Sequence, residues 1–246
     1  MTTTTVVVPW RDGCDHRRRA LAWTLPRLER AADQVLIGEL PAEAPWCKAA
    51  AVAAALPEVT GDVLAIVDAD LGIDDELWLQ RCVTALVVGH DWAMPHGPVW
   101  RLGPAGTDRV VAGDAPDDWV TPKVVTDSKL GRSDLLDQPP YNGFDGGGCV
   151  VLPTELYERV PLDPRFVGWG QEDEAWAHAL STLAGEPWRG EANLWHLWHP
   201  PQPRMDRRWG SPASEALGRR YEAASGDPDT MADLVAEITA PTRVAR

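Results

Sequence analysis

Three short stretches of this 246-residue chain hold residue types that do chemistry. The first is Asp68-Ala69-Asp70, directly after the apolar run VLAIV. Residues two apart in an extended segment point to one side, so both carboxylates can face a single ligand. Side by side they repel unless a cation or hydrogen-bond donors lie between them. Hard divalent ions such as Mg2+ and Mn2+ favour such oxygen ligands. A solvated strand end followed by a helix cap uses the same residues equally well. The second stretch is LWHLWHP, with His196 and His199. Imidazoles three apart face opposite sides of a straight strand. Either one binds a metal and the other is structural, or the chain turns there, as Pro200 and Pro201 permit; two packed histidines among tryptophans is the other reading. The third is GWGQEDEAW, residues 168 to 176. Gly168 and Gly170 allow a tight turn and close approach of a ligand, and Trp169 offers an apolar face to the CH surface of a sugar ring. Glu172 and Asp173 fall in the first turn of a helix, where a carboxylate projecting into a cleft can take a proton from a hydroxyl. Helix capping accounts for the acidic trio but not for Gly-Trp-Gly.

The elements that must position these residues follow from apolar patterning. VVVPW (residues 6 to 10), QVLIGEL (34 to 40) and VLAIV (63 to 67) read as short buried strands. Between them lie a helix over DHRRRALAWTLPRL that ends near Pro26 and an alanine-rich helix over residues 44 to 59. A further helix follows at 74 to 89, with its acidic residues at the N-terminus, where the dipole favours them. This alternation predicts an α/β fold with a mostly parallel sheet flanked by helices. Ligands of open α/β sheets bind at the carboxyl ends of the strands, which is where Asp68 and Asp70 fall. HDWAMPHGPVWRL suggests one or two strands, and residues 103 to 145, rich in Gly, Pro and Asp, read as loop-dominated. Then come a strand, proline turn and short helix (146 to 160), a helix (172 to 185), a strand ending in the histidines, and two terminal helices. No repeat or long linker interrupts the chain, so it reads as one domain over residues 1 to 246.

Composition narrows the partners. A formal net charge of −14 argues against a nucleic-acid binder, which needs a basic footprint. The longest apolar runs fall far short of the ~20 residues of a membrane span, and the N-terminal stretch has no basic and apolar leader pattern. Four cysteines without metal-ligand spacing read as reduced thiols, which places the protein in the cytoplasm. Thirteen tryptophans fit a binder of sugars or bases, and also a large core.

Taken in order, PWR (9 to 11), DAD (68 to 70), NGFDGGG (142 to 148), GWGQEDEAW and HLWHP resemble the GT-A glycosyltransferases. The likeness runs over roughly residues 5 to 205 and is greatest to the branch of β-1,4-galactosyltransferases and polypeptide N-acetylgalactosaminyltransferases. It implies the GT-A nucleotide-diphospho-sugar transferase fold, with a nucleotide-binding part over about residues 1 to 100, an acceptor and metal part over about 101 to 210, and C-terminal helices beyond. It implies a metal-dependent hexosyltransferase that uses a nucleotide sugar, in the first instance a UDP-sugar, with Mn2+ or Mg2+ as cofactor and an acceptor hydroxyl that the sequence does not identify.

By position, the resemblance implies that Pro9, Trp10 and Arg11 hold the base and diphosphate, that Asp68 lies near the ribose, and that Asp70 binds the metal with His199 and His196. Gly146, Gly147 and Gly148 would line the donor-sugar pocket, Trp169 would pack against donor and acceptor, Glu172 would contact the donor sugar, and Asp173 would be the base of an inverting transfer. Arg204, Arg207 and Arg208 form a candidate phosphate loop that closes over the donor. The chain departs from the pattern in two places: His-x-x-His stands where galactosyltransferases have Met-x-x-His, and Gln171 stands for the second glycine of Gly-Trp-Gly-Gly. A retaining transferase of the same fold and a catalytically silent carbohydrate- or nucleotide-binding protein are the competing readings.

Overall fold

The computed structural model describes residues 2–200 and 211–239. Among the described residues eight strands make one sheet: β1 (Thr4–Arg11), β2 (Gln34–Leu40), β3 (Val63–Val67), β4 (Leu71–Ile73), β5 (Ala93–Arg101), β6 (Tyr141–Asn142), β7 (Cys149–Pro153) and β8 (Trp188–His196). The spatial order is β2-β1-β3-β7-β5-β8-β4, with β6 paired to β5. Among the described residues the α-helices are α1 (Asp15–Ala31), α2 (Lys48–Ala55), α3 (Trp78–Val87), α4 (Pro104–Ala112), α5 (Pro122–Lys129), α6 (Thr154–Arg159), α7 (Glu172–Ala184), α8 (Pro212–Ala224) and α9 (Pro228–Thr239).

Strand side chains alternate between two cores, as a period of two requires. Val7, Leu64, Ile66, Val150 and Leu152 face a core closed by α2, α6, α7, α8 and α9. Val6, Val8, Val63, Ala65, Val67 and Val151 face the opposite core, closed by α1 and α3. The result is a sheet between two helical layers. A third, tryptophan-rich cluster joins Leu102, Val110, Trp119, Leu136 and Trp195 where α4 covers the ends of β5 and β8.

The expectation of a mostly parallel sheet holds for β1 against β2 and β3 and for β5 against β8; the other pairings are antiparallel. The reason is where the chain re-enters. After β6 it arrives at the carboxyl edge of the sheet, so β7 has to run back down between β3 and β5. The order also forces the sheet to curl. Four strand spacings would separate β3 from β4 by about 19 Å in a flat sheet, whereas the link from Val67 to Leu71 reaches about 14 Å at most. The end of β8 therefore comes over the end of β3, and the histidines approach the Asp68–Asp70 turn.

Two sequence readings are corrected. Residues 103 to 145 contain α4 and α5, each with proline at its start. Thr121 caps α5 by accepting from the Val124 amide, and Gly113 ends α4 in the left-handed conformation. Proline at the first position and glycine after the last are helix boundaries, and in a Gly/Pro-rich stretch they look like loop. Likewise α1 continues past Pro26 to Ala31, because Leu28 is buried against the sheet and outweighs one missing backbone bond. HDWAMPHGPVWRL forms the single strand β5.

Gly38 of β2 is where α2 lies closest to the sheet: a Cβ there would come 2.0 Å from the Ala51 carbonyl oxygen. Gly38→Ala is expected to push α2 outward and destabilise the fold by about 1–3 kcal/mol, measured as a lower denaturant midpoint at unchanged slope.

Candidate functional site

The Asp68–Asp70 segment is a turn, not an extension of β3, so the two carboxylates diverge instead of facing one ligand. Each belongs to its own cluster. The Asp68 amide donates to the Gly148 carbonyl at 2.9 Å, which ties the turn to the glycine loop. Its carboxylate accepts from Lys48 Nζ at 2.9 Å, and the same ammonium donates to Asp173 Oδ1 at 2.7 Å. Lys48 is 5% exposed while each carboxylate keeps about a third of its side chain in solvent. Burial works against the ammonium, but Asp173 and Asp68 outweigh it and hold Lys48 well above the usual lysine range. Burial raises Asp173, with Lys48 opposing the shift.

Lys48 was not among the residues singled out from sequence. The signal was there: the chain has three lysines against twenty arginines, and this lysine opens an alanine helix, the end at which the dipole disfavours a cation. A cation there needs carboxylate partners elsewhere in the fold.

Asp70 turns the other way. Its Oδ2 lies 3.1 Å from His199 Nε2 and its Oδ1 3.8 Å from His196 Nε2. One ligand atom from each of the three residues falls within 4.8 Å of the others, a set able to hold a metal ion. The histidines converge because β8 ends at His196 and the chain turns, with the Leu197 amide donating to the Asp70 carbonyl at 2.8 Å. Burial pulls His196 down to about 4, so its ring is neutral and has a lone pair to offer. Burial alone would raise Asp70, yet the neighbouring His196, His199 and Arg17, in that order, hold it well below the usual carboxylate range.

The donor set fits a divalent cation on one further ground. His199 Nδ1 lies 2.9 Å from the Pro200 carbonyl oxygen while its Nε2 faces the Asp70 carboxylate. A neutral imidazole has a proton for only one of two oxygens. With that proton on Nδ1, the Nε2 lone pair points at a carboxylate oxygen, and a cation between them removes the repulsion.

The Gly-Trp-Gly turn leads into α7. Gly168 and Gly170 both have φ 98°, and Gln171 has φ 78°, the only positive value at a non-glycine position among the described residues. The Gln171 side chain reaches α8, where its Oε1 is 2.6 Å from the place a Cβ would take at Gly218. Glu172 is buried, its Oε2 has no hydrogen-bond partner among the described residues, and burial followed by the Asp173 charge raises it to about 7. Trp169 is half-buried.

The glycine loop closes on this helix. A Cβ at Gly146 would meet the Asp173 carbonyl oxygen at 2.2 Å, and one at Gly147 would be 4.0 Å from Asp173 Oδ2. Beneath the loop, buried His96 places Nε2 3.3 Å from the Gly147 carbonyl, and burial lowers it to about 4. A cleft of about 500 Å³ opens beside the loop between Gly97, Asn142, Gly143, Phe144, Asp145 and Arg189. Pro9 and Trp10 are buried at the end of β1, and Arg11 donates to the Ala44 carbonyl at 2.7 Å. The structure thus brings Asp68, Gly147, Gly148 and Asp173 into one contact network and Asp70, His196 and His199 into its neighbour. Arg204, Arg207 and Arg208 lie outside the described residues.

Lys48→Met would leave two neighbouring carboxylates without their shared cation. The expected cost at pH 7 is about 2–4 kcal/mol, below that of a fully dry pair because both carboxylates are partly solvated. The raised Lys48 stays charged at every pH below the usual lysine value, so the pH dependence of the deficit follows Asp173. Asp173, raised by burial and no longer opposed by Lys48, titrates higher when folded than when unfolded, so the deficit is full above its folded value and shrinks as pH falls through it. Urea unfolding of both proteins at pH 4 and pH 7 measures it.

No protein-family model and no curated protein matches the chain. Among solved structures, the chain is similar to glucosyl-3-phosphoglycerate synthase of Mycobacterium tuberculosis, at 16% identity, covering 96% of this chain and 81% of that one, with a TM-score of 0.46. The same enzyme in complex with Mn2+, uridine diphosphate and glucosyl-3-phosphoglycerate aligns at 17% identity, over 96% and 80% of the two chains, with a TM-score of 0.48. A mycobacterial protein aligns at 18% identity, over 96% and 75%, with a TM-score of 0.47. Likeness at this level says nothing of activity.

Proposed function

We propose that the chain is a metal-dependent glycosyltransferase of the GT-A kind, which moves a sugar from a nucleotide-sugar donor, a UDP-sugar in the first instance, to an acceptor hydroxyl with inversion at the anomeric carbon. One observation carries the reading. A metal-capable triad (Asp70, His196, His199) and a carboxylate network (Asp68, Lys48, Asp173) meet across a single three-residue turn at the carboxyl edge of the sheet. That edge is where open α/β sheets bind ligands.

In this reading Pro9, Trp10 and Arg11 hold the nucleotide and Asp68 the ribose. Gly146, Gly147 and Gly148 let the donor sugar approach the backbone. Mn2+ or Mg2+ on Asp70, His199 and His196 would supply Lewis-acid charge for a leaving diphosphate. Asp173 takes the proton from the acceptor hydroxyl. Lys48 keeps that carboxylate ionised and aimed, since its ammonium fixes Oδ1 and leaves Oδ2 toward Gly147. Glu172, raised to about 7, exchanges its own proton in the neutral range and contacts the donor sugar. Trp169 forms an apolar wall for donor and acceptor rings. Residues 1 to 246 act as one catalytic domain of the galactosyltransferase-like branch, working in the cytoplasm; no helix among the described residues is long and apolar enough to cross a membrane. Arg204, Arg207 and Arg208 would close over the phosphates.

The test is calorimetric titration with uridine diphosphate in Mn2+ and then in EDTA. Binding that needs the metal and disappears in Asp70→Ala is the expected result; tight metal-dependent binding by Asp70→Ala would sink the metal assignment. For the base, Asp173→Asn is expected to lower kcat by about 10²–10⁴-fold with donor affinity retained. A variant that binds donor and turns over at the wild-type rate would move the retaining reading to the front; a wild-type protein that binds donor and never turns over would favour the silent binding protein.

A further inference from the structure

Two guanidinium groups stand next to the metal-capable triad, and no role above uses them. Arg17, in the first turn of α1, brings Nη2 to 3.5 Å from His199 Nε2, and its charge is one of those felt by Asp70. Arg101, the last residue of β5, is the register partner of His196 on the parallel strand β8, and its charge is felt by that imidazole. Partners in a parallel ladder put their side chains on the same face of the sheet. Both arginines have a buried Nε with no hydrogen-bond partner among the described residues. Among the described residues neither pairs with a carboxylate, whereas Arg18, Arg19, Arg109, Arg165 and Arg189 all do.

This arrangement is unfavourable as it stands. A dry, unpartnered N–H carries its full desolvation cost, and cations beside a cation site repel what the site is meant to hold. Arg17 goes further, because its Nη2 sits against the imidazole lone pair that a metal needs. One carboxylate offsets half the charge of a divalent ion, and the two arginines add to the excess. A diphosphate resolves all of this together: its oxygens accept from forked guanidinium donors while also bridging to a metal, and its multiple negative charge matches the surplus.

We propose that Arg17 and Arg101 form an anion subsite that makes cation binding conditional on a diphosphate, so that the metal enters with the diphosphate and not ahead of it. The inference rests on the donor reading above and adds to it an order of binding and two residues. The coupling is reciprocal, since whatever factor the diphosphate adds to metal affinity the metal adds to diphosphate affinity.

The experiment titrates the full chain calorimetrically with Mn2+ alone and with preformed Mn2+ pyrophosphate, in wild type, Arg17→Met and Arg101→Met. Wild type is expected to bind the free ion at least roughly tenfold more weakly than the ion with pyrophosphate. Arg17→Met is expected to tighten free Mn2+ and to weaken Mn2+ pyrophosphate by roughly tenfold or more; Arg101→Met should weaken the complex likewise. These opposite signs separate an anion subsite from a structural prop, which would lose both ligands together. Parallel losses, unchanged pyrophosphate binding in both variants, or wild-type Mn2+ binding that gains nothing from pyrophosphate would each overturn the proposal. If either methionine variant fails to melt cooperatively, Arg17→Lys and Arg101→Lys, which keep the charge but not the fork, replace it and are expected to lose part of the pyrophosphate affinity. Pyrophosphate binding without any binding of uridine diphosphate would leave the subsite standing and remove the nucleotide reading. Intact metal-dependent uridine diphosphate binding in both methionine variants would do the reverse.

Discussion

The Lys48 ammonium, nearly dry between two carboxylates, is the interaction on which the arrangement of the site depends. Its three participants come from α2, from the turn after β3, and from the first turn of α7, the last more than a hundred residues along the chain from the other two. The ammonium ties the side chains of α7 and the β3 turn together at this point, because a buried charge is tolerable only when its partners stay within hydrogen-bonding reach. Everything that brings α2 close enough follows from this: the glycine at position 38, the alanines of α2, and the apolar core beneath. The close contact of Gly146 with the α7 backbone fixes the remaining degree of freedom.

The second constraint is geometric. The sheet places β4 four strands away from β3, yet gives it a link too short for a flat sheet. The resulting curl lays the end of β8 over the end of β3, and so delivers two histidines to an aspartate that belongs to another part of the chain. Metal-capable triad and carboxylate network are thus joined by the three residues from Asp68 to Asp70, and a shift of either moves both.

Much of this was legible in the sequence, and the exceptions have physical reasons. The buried strands and the helices between them follow from apolar runs and alanine content, and Asp70, His196, His199, Glu172 and Asp173 stand out by residue type and spacing. What a one-dimensional pattern does not contain is direction. Period-two reasoning assumes an extended chain, so it set Asp68 and Asp70 on one ligand, whereas the turn separates them. It could not tell whether His196 and His199 converge, since that depends on the pairing of β8 with β4. The antiparallel half of the sheet depends on where the chain re-enters, which no local signal encodes. Arg17 stood out only as part of the basic run DHRRR, residues 15 to 19, a candidate patch for a small anion; Lys48 and Arg101 went unmarked because each looks ordinary in its own helix or strand, and their significance lies in what surrounds them.

Gln171 shows how such a site is tied to its own history. Glycine would sit in its left-handed backbone without strain, while a glutamine there pays on the order of 1 kcal/mol. In return its side chain occupies space over Gly218 that any Cβ on that residue would claim. The two positions are therefore not free to drift separately. A side chain acquired at 218 first evicts Gln171, and glycine restored at 171 is what opens 218 to larger residues. Among descendants of this chain the pair should change together, leaving a covariation between α7 and α8 that neither position would display alone.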